Sequence, residues 1–238
     1  MPTSAVEDYL KAIYQLSVEG ERVSNSAIAD RLGIAAASVT DMLKRLGEAG
    51  LVEHVPYRGV TLTAAGAETA VRMIRRHRVL EAFLVEQLGY TWDEVHEEAE
   101  RLEHAASDEL IDRMAKVLGE PREDPHGHPI PARGCEFLEE PLPTLADLEE
   151  GRRAVLRRVS DDDPEFLRYI AGLNLRPGAE LELLERAPFE GPLRVRIGDA
   201  EQFLGLELAR RLHVEPQGES ASGEAEGKAR RALKRRGR

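Results

Sequence analysis

Leu51-Val52-Glu53-His54-Val55-Pro56-Tyr57-Arg58-Gly59-Val60-Thr61-Leu62-Thr63 decides the fold of this chain. Two β-prone runs flank a Pro-Tyr-Arg-Gly turn, a pattern that predicts a hairpin. Three helical patterns precede it. Residues 5–18 place Val6, Leu10, Ile13, Tyr14 and Leu16 near the helical period, before Gly20. Ser24 or Asn25 can cap a second helix that carries Ile28, Ala29 and Leu32 and closes at Gly33. A third helix starts near Ala36, turns Val39, Met42, Leu43 and Leu46 inward, and ends toward Gly47 and Gly50. Three helices followed by a hairpin make a winged helix-turn-helix, a unit that reads DNA.

Downstream, a long helix is expected from Ala64 to about Leu88, stopped by Gly89. Thr91 and Glu94 can form a capping box for the next helix, and Ser107 caps another that ends before Gly119 and Pro121. Helices of this length outside the winged unit need cover for their apolar faces. A second subunit is the economical answer, because most oligomers are symmetric dimers. A Pro/Gly-rich stretch follows. Runs at 151–160, 180–186 and 193–197 read as strands of a small, mostly β domain, a partly open barrel, with a last strand or helical turn from Leu204 to Leu212. The expected divisions are residues 1–73 for the winged helix, 74–130 for a helical domain, 131–147 for a linker, 148–216 for the β domain and 217–238 for a disordered basic tail. The fold class is α+β.

The chain has 238 residues and a net charge of −11, which at first opposes nucleic acid. The distribution matters more, since local field governs phosphate contact. Residues 1–75 carry 8 Lys/Arg against 9 Asp/Glu, close to balance, whereas residues 76–130 carry 6 against 14. A DNA surface therefore fits the N-terminal segment, and bound divalent cations would offset the acidic middle. No apolar run approaches the ~20 residues that cross a bilayer. The first residues show no basic and apolar leader, and Cys135 is the single cysteine, so a cytoplasmic protein is expected with no membrane partner. The basic residues of 228–238 suit either added non-specific DNA affinity or a merely solvated tail.

Chemistry concentrates in His96-Glu97-Glu98-Ala99-Glu100-Arg101-Leu102-Glu103-His104. On a helix Glu100, Glu103 and His104 stand at i, i+3 and i+4 and share a face, with His96 four residues before Glu100. Carboxylates and an imidazole crowded together repel unless something positive joins them. Oxygen-rich ligands with one imidazole suit Mn²⁺ or Fe²⁺. The plain alternative is a solvated acidic face. Asp8 offers a further carboxylate from the first helix, and His77 and Glu81 share a face of the long helix at i and i+4. A single histidine such as His77 is more often structural than a ligand.

In this order, Glu7-Asp8-Tyr9-Leu10, the winged helix, Arg76-His77-Arg78-Val79-Leu80-Glu81, His96 to Glu100, Leu102-Glu103-His104 and His126-Gly127-His128-Pro129-Ile130-Pro131 resemble the diphtheria toxin repressor family. The resemblance spans residues 4 to about 215. It implies a metal-activated repressor: a homodimer with a winged helix, a helical metal-binding and dimerisation domain, and a C-terminal SH3-like barrel. It carries the primary metal site onto Asp8, Glu100, Glu103 and His104. Iron-sensing members place Met and Cys at the first two of these, whereas the manganese-sensing branch places carboxylates, so Mn²⁺ is expected and Fe²⁺ is the alternative. Manganese regulators that lack the barrel have Glu where this chain has Lys11, which puts their close dinuclear pair in doubt. A second site per subunit is implied, drawn from His77, Glu81 and His96 with barrel oxygens from Asp162, Asp163 or Glu165, or from Glu81 with Asp124 and His126. Asp124-Pro125-His126-Gly127 stands where one branch has Cys-Pro-His-Gly. The choice between these sets stays open, as does plain loop solvation for Asp124 and Asp162.

The third helix should enter the major groove of a palindromic operator in double-stranded DNA. Ser38, Thr40 and Asp41 lie in its exposed first half and Lys44 and Arg45 follow. Ala35 and Ala37 can touch thymine methyls, and Tyr57 and Arg58 at the wing suit phosphate or the minor groove. Asp41 would be unfavourable beside phosphate, so it accepts from a cytosine amine or sits away from the backbone. The expected function is Mn²⁺-dependent repression of metal-homeostasis genes such as uptake transporters. The rivals are an iron-dependent repressor of the same kind and a winged-helix regulator of a small molecule. An enzyme is disfavoured: His96-Glu97-Glu98-Ala99-Glu100 lacks the second histidine of a zinc protease helix, and Cys135 has no evident His or Asn partner.

Overall fold

The computed structural model describes residues 3–17, 22–55, 58–134, 137, 139–160 and 163–217. Tyr57, Cys135, Asp162 and nearly all of the basic tail lie outside them. The chain divides into two compact units. The first comprises Met1–Tyr90, Val95–Asp124 and Pro129–Glu139; the second comprises Thr91–Glu94, Pro125–His128 and Glu140–Arg238.

The first unit opens with α1 (Ser4–Leu16), α2 (Asn25–Leu32) and α3 (Ala36–Glu48), followed by the antiparallel pair β1 (Val52–Val55) and β2 (Gly59–Leu62). This is the expected winged arrangement. Ser24 caps α2 by accepting from the Ala27 amide, and Gly33 ends it in the left-handed region at φ 64°. The inward residues are those the helical period selects: Leu10, Ile13, Ile28, Val39, Leu43 and Leu46 are essentially inaccessible and close on Val52 and Val60. Truncating one of them removes its transfer energy and leaves a cavity. Leu43→Ala should therefore lower unfolding free energy by about 3 kcal/mol in urea titrations. A loss under about 1 kcal/mol would mean that the α2–α3 core repacks freely.

α4 (Ala64–Leu88) then runs unbroken for 25 residues, about 37 Å at the helical rise. Thr63 caps it by accepting from the Gly66 amide at 3.2 Å. Gly66 has no freedom to change, because a Cβ there would lie 2.0 Å from the Leu51 carbonyl oxygen. The first half of α4 buries Ala70, Met73 and Ile74, with Ala70 in the winged core. Its second half packs Val79, Leu80 and Leu84 against Val95 and Ala99 of α5 (Val95–Glu103) and Ile111 and Ala115 of α6 (Asp108–Val117). A boundary at residue 73 falls inside one continuous helix.

The second unit is an antiparallel sheet in the order β6-β5-β4-β3-β7, formed by β3 (Arg153–Val159), β4 (Glu180–Arg186), β5 (Leu193–Ile197), β6 (Ala200–Leu204) and β7 (Leu212–Pro216). β6 and β7 are edges among the described residues, so the sheet is open where a barrel was expected. Bulges between Leu156 and Arg158 and between Leu183 and Glu185 interrupt its registers. α7 (Pro164–Gly172) and α8 (Leu206–Arg210) complete the unit, and α7 seals it with Phe166, Leu167 and Ile170. Trp92, expected with the helices, lies in this second core at 5% exposure. His126 stacks on Trp92, with ring centroids 5.7 Å apart, and its Nε2 is 2.7 Å from the Trp92 carbonyl. Gly127 has φ 89°, and a Cβ there would lie 1.8 Å from the Arg157 carbonyl. No helix among the described residues is long and apolar enough to cross a membrane.

Candidate metal centres

Three helices of the first unit meet around a set of ionisable groups. α1 contributes Glu7, Asp8 and Lys11, α4 contributes His77 and Glu81, and the α5 segment contributes His96, Glu100, Glu103 and His104. The helical period explains each set, since residues three and four apart lie one above the other. The apolar seam between α4 and α5 fixes His77 and Glu81 opposite His96 and Glu103.

In one cluster, one ligand atom each from Asp8, Glu103 and His104 lies within 4.8 Å of the others. His104 Nε2 is 3.0 Å from Asp8 Oδ1 and 3.8 Å from Glu103 Oε1. The other ring nitrogen of His104 is 2.8 Å from Glu7 Oε2, a partner that the spacing arguments did not single out. A carboxylate on the far ring nitrogen is what orients a metal-ligating histidine. Burial, partly offset by His104, raises the Asp8 carboxyl above its ordinary range. For Glu103, burial works upward, but the hydrogen bond from His77 and the Lys11 ammonium outweigh it and hold the group below its ordinary range.

In the other cluster, His77 Nε2, Glu81 Oε1 and His96 Nδ1 form a triangle with sides of 3.0, 3.1 and 3.1 Å. Glu81 is fully buried and His77 is 4% exposed. Such separations match adjacent ligands on an octahedral ion, where bonds of roughly 2.1 Å put neighbours roughly 3 Å apart. The donor set fits a hard or borderline divalent cation. Burial and the Lys11 ammonium push the His77 imidazole down. The Glu81 carboxylate and hydrogen bonds with Glu103 and Glu81 more than reverse this and lift it to about 9. His77 Nδ1 stands 2.6 Å from Glu103 Oε2, so Glu103 touches both clusters.

Glu100 is not drawn into the Asp8–Glu103–His104 cluster. Its side chain is 57% exposed, and its Oε1 stands 3.6 Å from His96 Nε2. Glu100 lies four residues from both His96 and His104, and its side chain takes the His96 side with much of its surface in solvent. Asp124 is buried with Oδ2 3.7 Å from Arg78 Nε, and Arg78 also donates to the Pro129 carbonyl and to Glu139. Asp163 caps α7 by accepting from the Glu165 and Phe166 amides, and it pairs with Arg211. Glu165 is exposed in the first turn of that helix. On α3 and just before it, Ala35, Ala37, Ser38, Thr40, Asp41, Lys44 and Arg45 are all exposed, as is Arg58 on the wing. Thr40 Oγ1 accepts from Asn25 of α2 and donates to the Ala36 carbonyl.

Comparison with known proteins agrees with this architecture. Residues 1–60 match the iron dependent repressor N-terminal DNA binding domain. Residues 63–132 match the iron dependent repressor metal binding and dimerisation domain, and residues 144–216 match the FeoA domain. The iron-dependent repressor IdeR of Mycobacterium leprae is 30% identical over 221 residues, covering 88% of this chain and 96% of the relative. The diphtheria toxin repressor of Corynebacterium glutamicum is 37% identical over 220 residues, covering 88% and 95%. A solved manganese-dependent transcriptional repressor in complex with manganese superposes with a TM-score of 0.83 at 40% identity, covering 89% of this chain and all of the other. With a DNA-binding domain followed by a metal binding and dimerisation domain, as the family models match them, the chain belongs to the diphtheria toxin repressor family of metal-dependent, DNA-binding transcriptional repressors, and is not an enzyme.

Proposed function

We propose that this chain is a cytoplasmic, Mn²⁺-activated repressor that binds a palindromic operator as a homodimer and controls metal-homeostasis genes such as uptake transporters. The observation that carries this reading is the meeting of Asp8 on α1 with Glu103 and His104 at the end of α5. A divalent ion held there supplies positive charge shared between the DNA-reading helices and the dimerisation helices. Asp8 then ties α1 to the α5 end, while Glu103 and His104 stay anchored by His77 and Glu7. Glu100, exposed and one turn before His104, is assigned as the fourth ligand on sequence resemblance. The carboxylates at positions 8 and 100 are hard ligands and favour Mn²⁺, with Fe²⁺ the second candidate on the names of the relatives.

His77, Glu81 and His96 are assigned as the second site. Asp124, His126, Asp162, Asp163 and Glu165 are its candidate supplements on sequence resemblance. α3 reads the major groove through Ala35, Ala37, Ser38, Thr40, Asp41, Lys44 and Arg45, and the wing contributes Tyr57 and Arg58. The division of labour follows residues 1–73 for DNA, 74–130 for metal and dimerisation, and 148–216 for the β domain.

An effector shifts an equilibrium only by its differential affinity for the two states. Fluorescence anisotropy with an operator fragment, recorded with Mn²⁺ and with chelator, measures that difference. Affinity should rise by at least about thirtyfold with Mn²⁺, a coupling of about 2 kcal/mol. Equal affinity under both conditions would refute the reading.

A further inference from the structure

The Asp8–Glu103–His104 cluster already contains a cation belonging to the chain. Lys11 follows Asp8 by one turn of α1 and is 9% exposed. Its Nζ stands 3.0 Å from Glu103 Oε1, 2.9 Å from Glu103 Oε2 and 3.2 Å from His77 Nδ1. The two Glu103 oxygens differ in their surroundings. Oε2 is held by His77 Nδ1 at 2.6 Å, whereas Oε1 is the oxygen nearer His104 Nε2, at 3.8 Å. Oε1 is therefore the atom that a metal ion in this cluster would take, and the ammonium already holds it.

Two positive charges cannot share that oxygen without repulsion, which is strong where water is largely excluded. A lysine is suited to yielding, because its charge sits on a flexible four-carbon stem. Lys11 also joins the same two helices as Asp8 and His104 do. We propose that Lys11 is a tethered competitor for the metal: it holds Glu103 in the metal-free protein and must release Oε1 for the ion to enter. It thereby sets the metal concentration at which the repressor responds. The inference rests on reading Asp8, Glu103 and His104 as a metal site. No covalent bond forms or breaks in the exchange. A purely structural Lys11–Glu103 ion pair makes the opposite prediction, since its loss would loosen the cluster and weaken metal binding.

The test is titration of Mn²⁺ into the metal-free, full-length protein, with free Mn²⁺ followed by electron paramagnetic resonance. Lys11→Met should bind Mn²⁺ about tenfold more tightly than wild type, the effect of removing one like charge. Lys11→Arg, which keeps the charge, should stay within about threefold of wild type by the same argument. Unchanged or weaker binding by Lys11→Met overturns the proposal. Absence of Mn²⁺ binding by wild type overturns the metal site itself, a separable result. If Lys11→Met fails to fold, the wild-type protein decides. The Lys11 Nζ resonance, protected in metal-free protein, should shift or vanish into fast exchange when Cd²⁺ is added. An unmoved resonance with Cd²⁺ bound overturns the competition.

Discussion

Glu103→Ala should abolish the Mn²⁺-dependent part of operator binding, a loss of about thirtyfold in affinity, which is the whole of the coupling proposed above. Loss of an orienting partner alone lowers metal affinity by about ten- to a hundredfold, and Glu103 is assigned both roles, as ligand beside His104 and as anchor of His77. The substitution also strands the Lys11 ammonium and the His77 ring without the carboxylate that both touch. Breaking a buried pair from one side destabilises by about 3–5 kcal/mol, so the metal-free variant should melt at lower temperature while still folding as a dimer. Glu103→Gln separates the effects. It preserves shape and one of the two acceptor oxygens but removes the charge, and should lose metal response with a smaller stability deficit. Anisotropy, circular dichroism and sedimentation on the two variants give the three readouts. Wild-type anisotropy curves from either variant would remove Glu103 from the metal site.

Metal loading should release protons, and His77 is the reason. At neutral pH its imidazole is protonated, lifted to about 9. Ligation through Nε2 needs that nitrogen bare. Mn²⁺ entering the His77–Glu81–His96 cluster at pH 7.5 should therefore expel close to one proton from His77, falling toward none above pH 9. Calorimetric titrations in buffers of different ionisation enthalpy count it directly. The same group makes metal-free stability depend on pH. Its folded value lies above the ordinary 6.5, so its contribution is fully present below pH 6.5 and is lost as pH rises through about 9. Between those limits stability should decline with a slope approaching about 1.4 kcal/mol per pH unit, the value for one proton. Flat stability from pH 6.5 to 9 would mean that His77 is neutral in the folded protein. Glu103, held below its ordinary range, acts at the other end, and its contribution is lost on acidification.

Much of this was legible in the residues alone. The winged unit was readable because Leu10, Ile13, Val39, Leu43 and Leu46 keep the helical period and Arg58-Gly59 interrupts two β-prone runs. The end of α4 was marked by Gly89, whereas its cap, Thr63, carried no separate signal among the β-prone residues before it. The metal-type clusters followed from i, i+3 and i+4 spacing, which fixes a shared helix face but says nothing of what the face meets. That gap explains Glu100, on the right face yet turned to His96 and solvent, and Glu7, which holds the far nitrogen of His104. α7 escaped the reading because nine residues hold too few turns for a clear period, although Asp163-Pro164 is a cap followed by proline at the first helical position. β6 is a five-residue edge strand whose one signal is Gly198-Asp199 in the turn before it. Trp92 falls inside the 74–130 stretch expected to be helical. Its burial among residues 145–214 is a long-range contact that no local pattern encodes.

The unbroken run of α4 makes it a crank. Each residue of an α-helix advances the azimuth by roughly 100°, so inserting one residue between Met73 and His77 would swing the DNA-contacting head by more than a quarter-turn about that axis. A change in the length of this shaft by a single residue therefore turns the head away from the face that the rest of the helix serves.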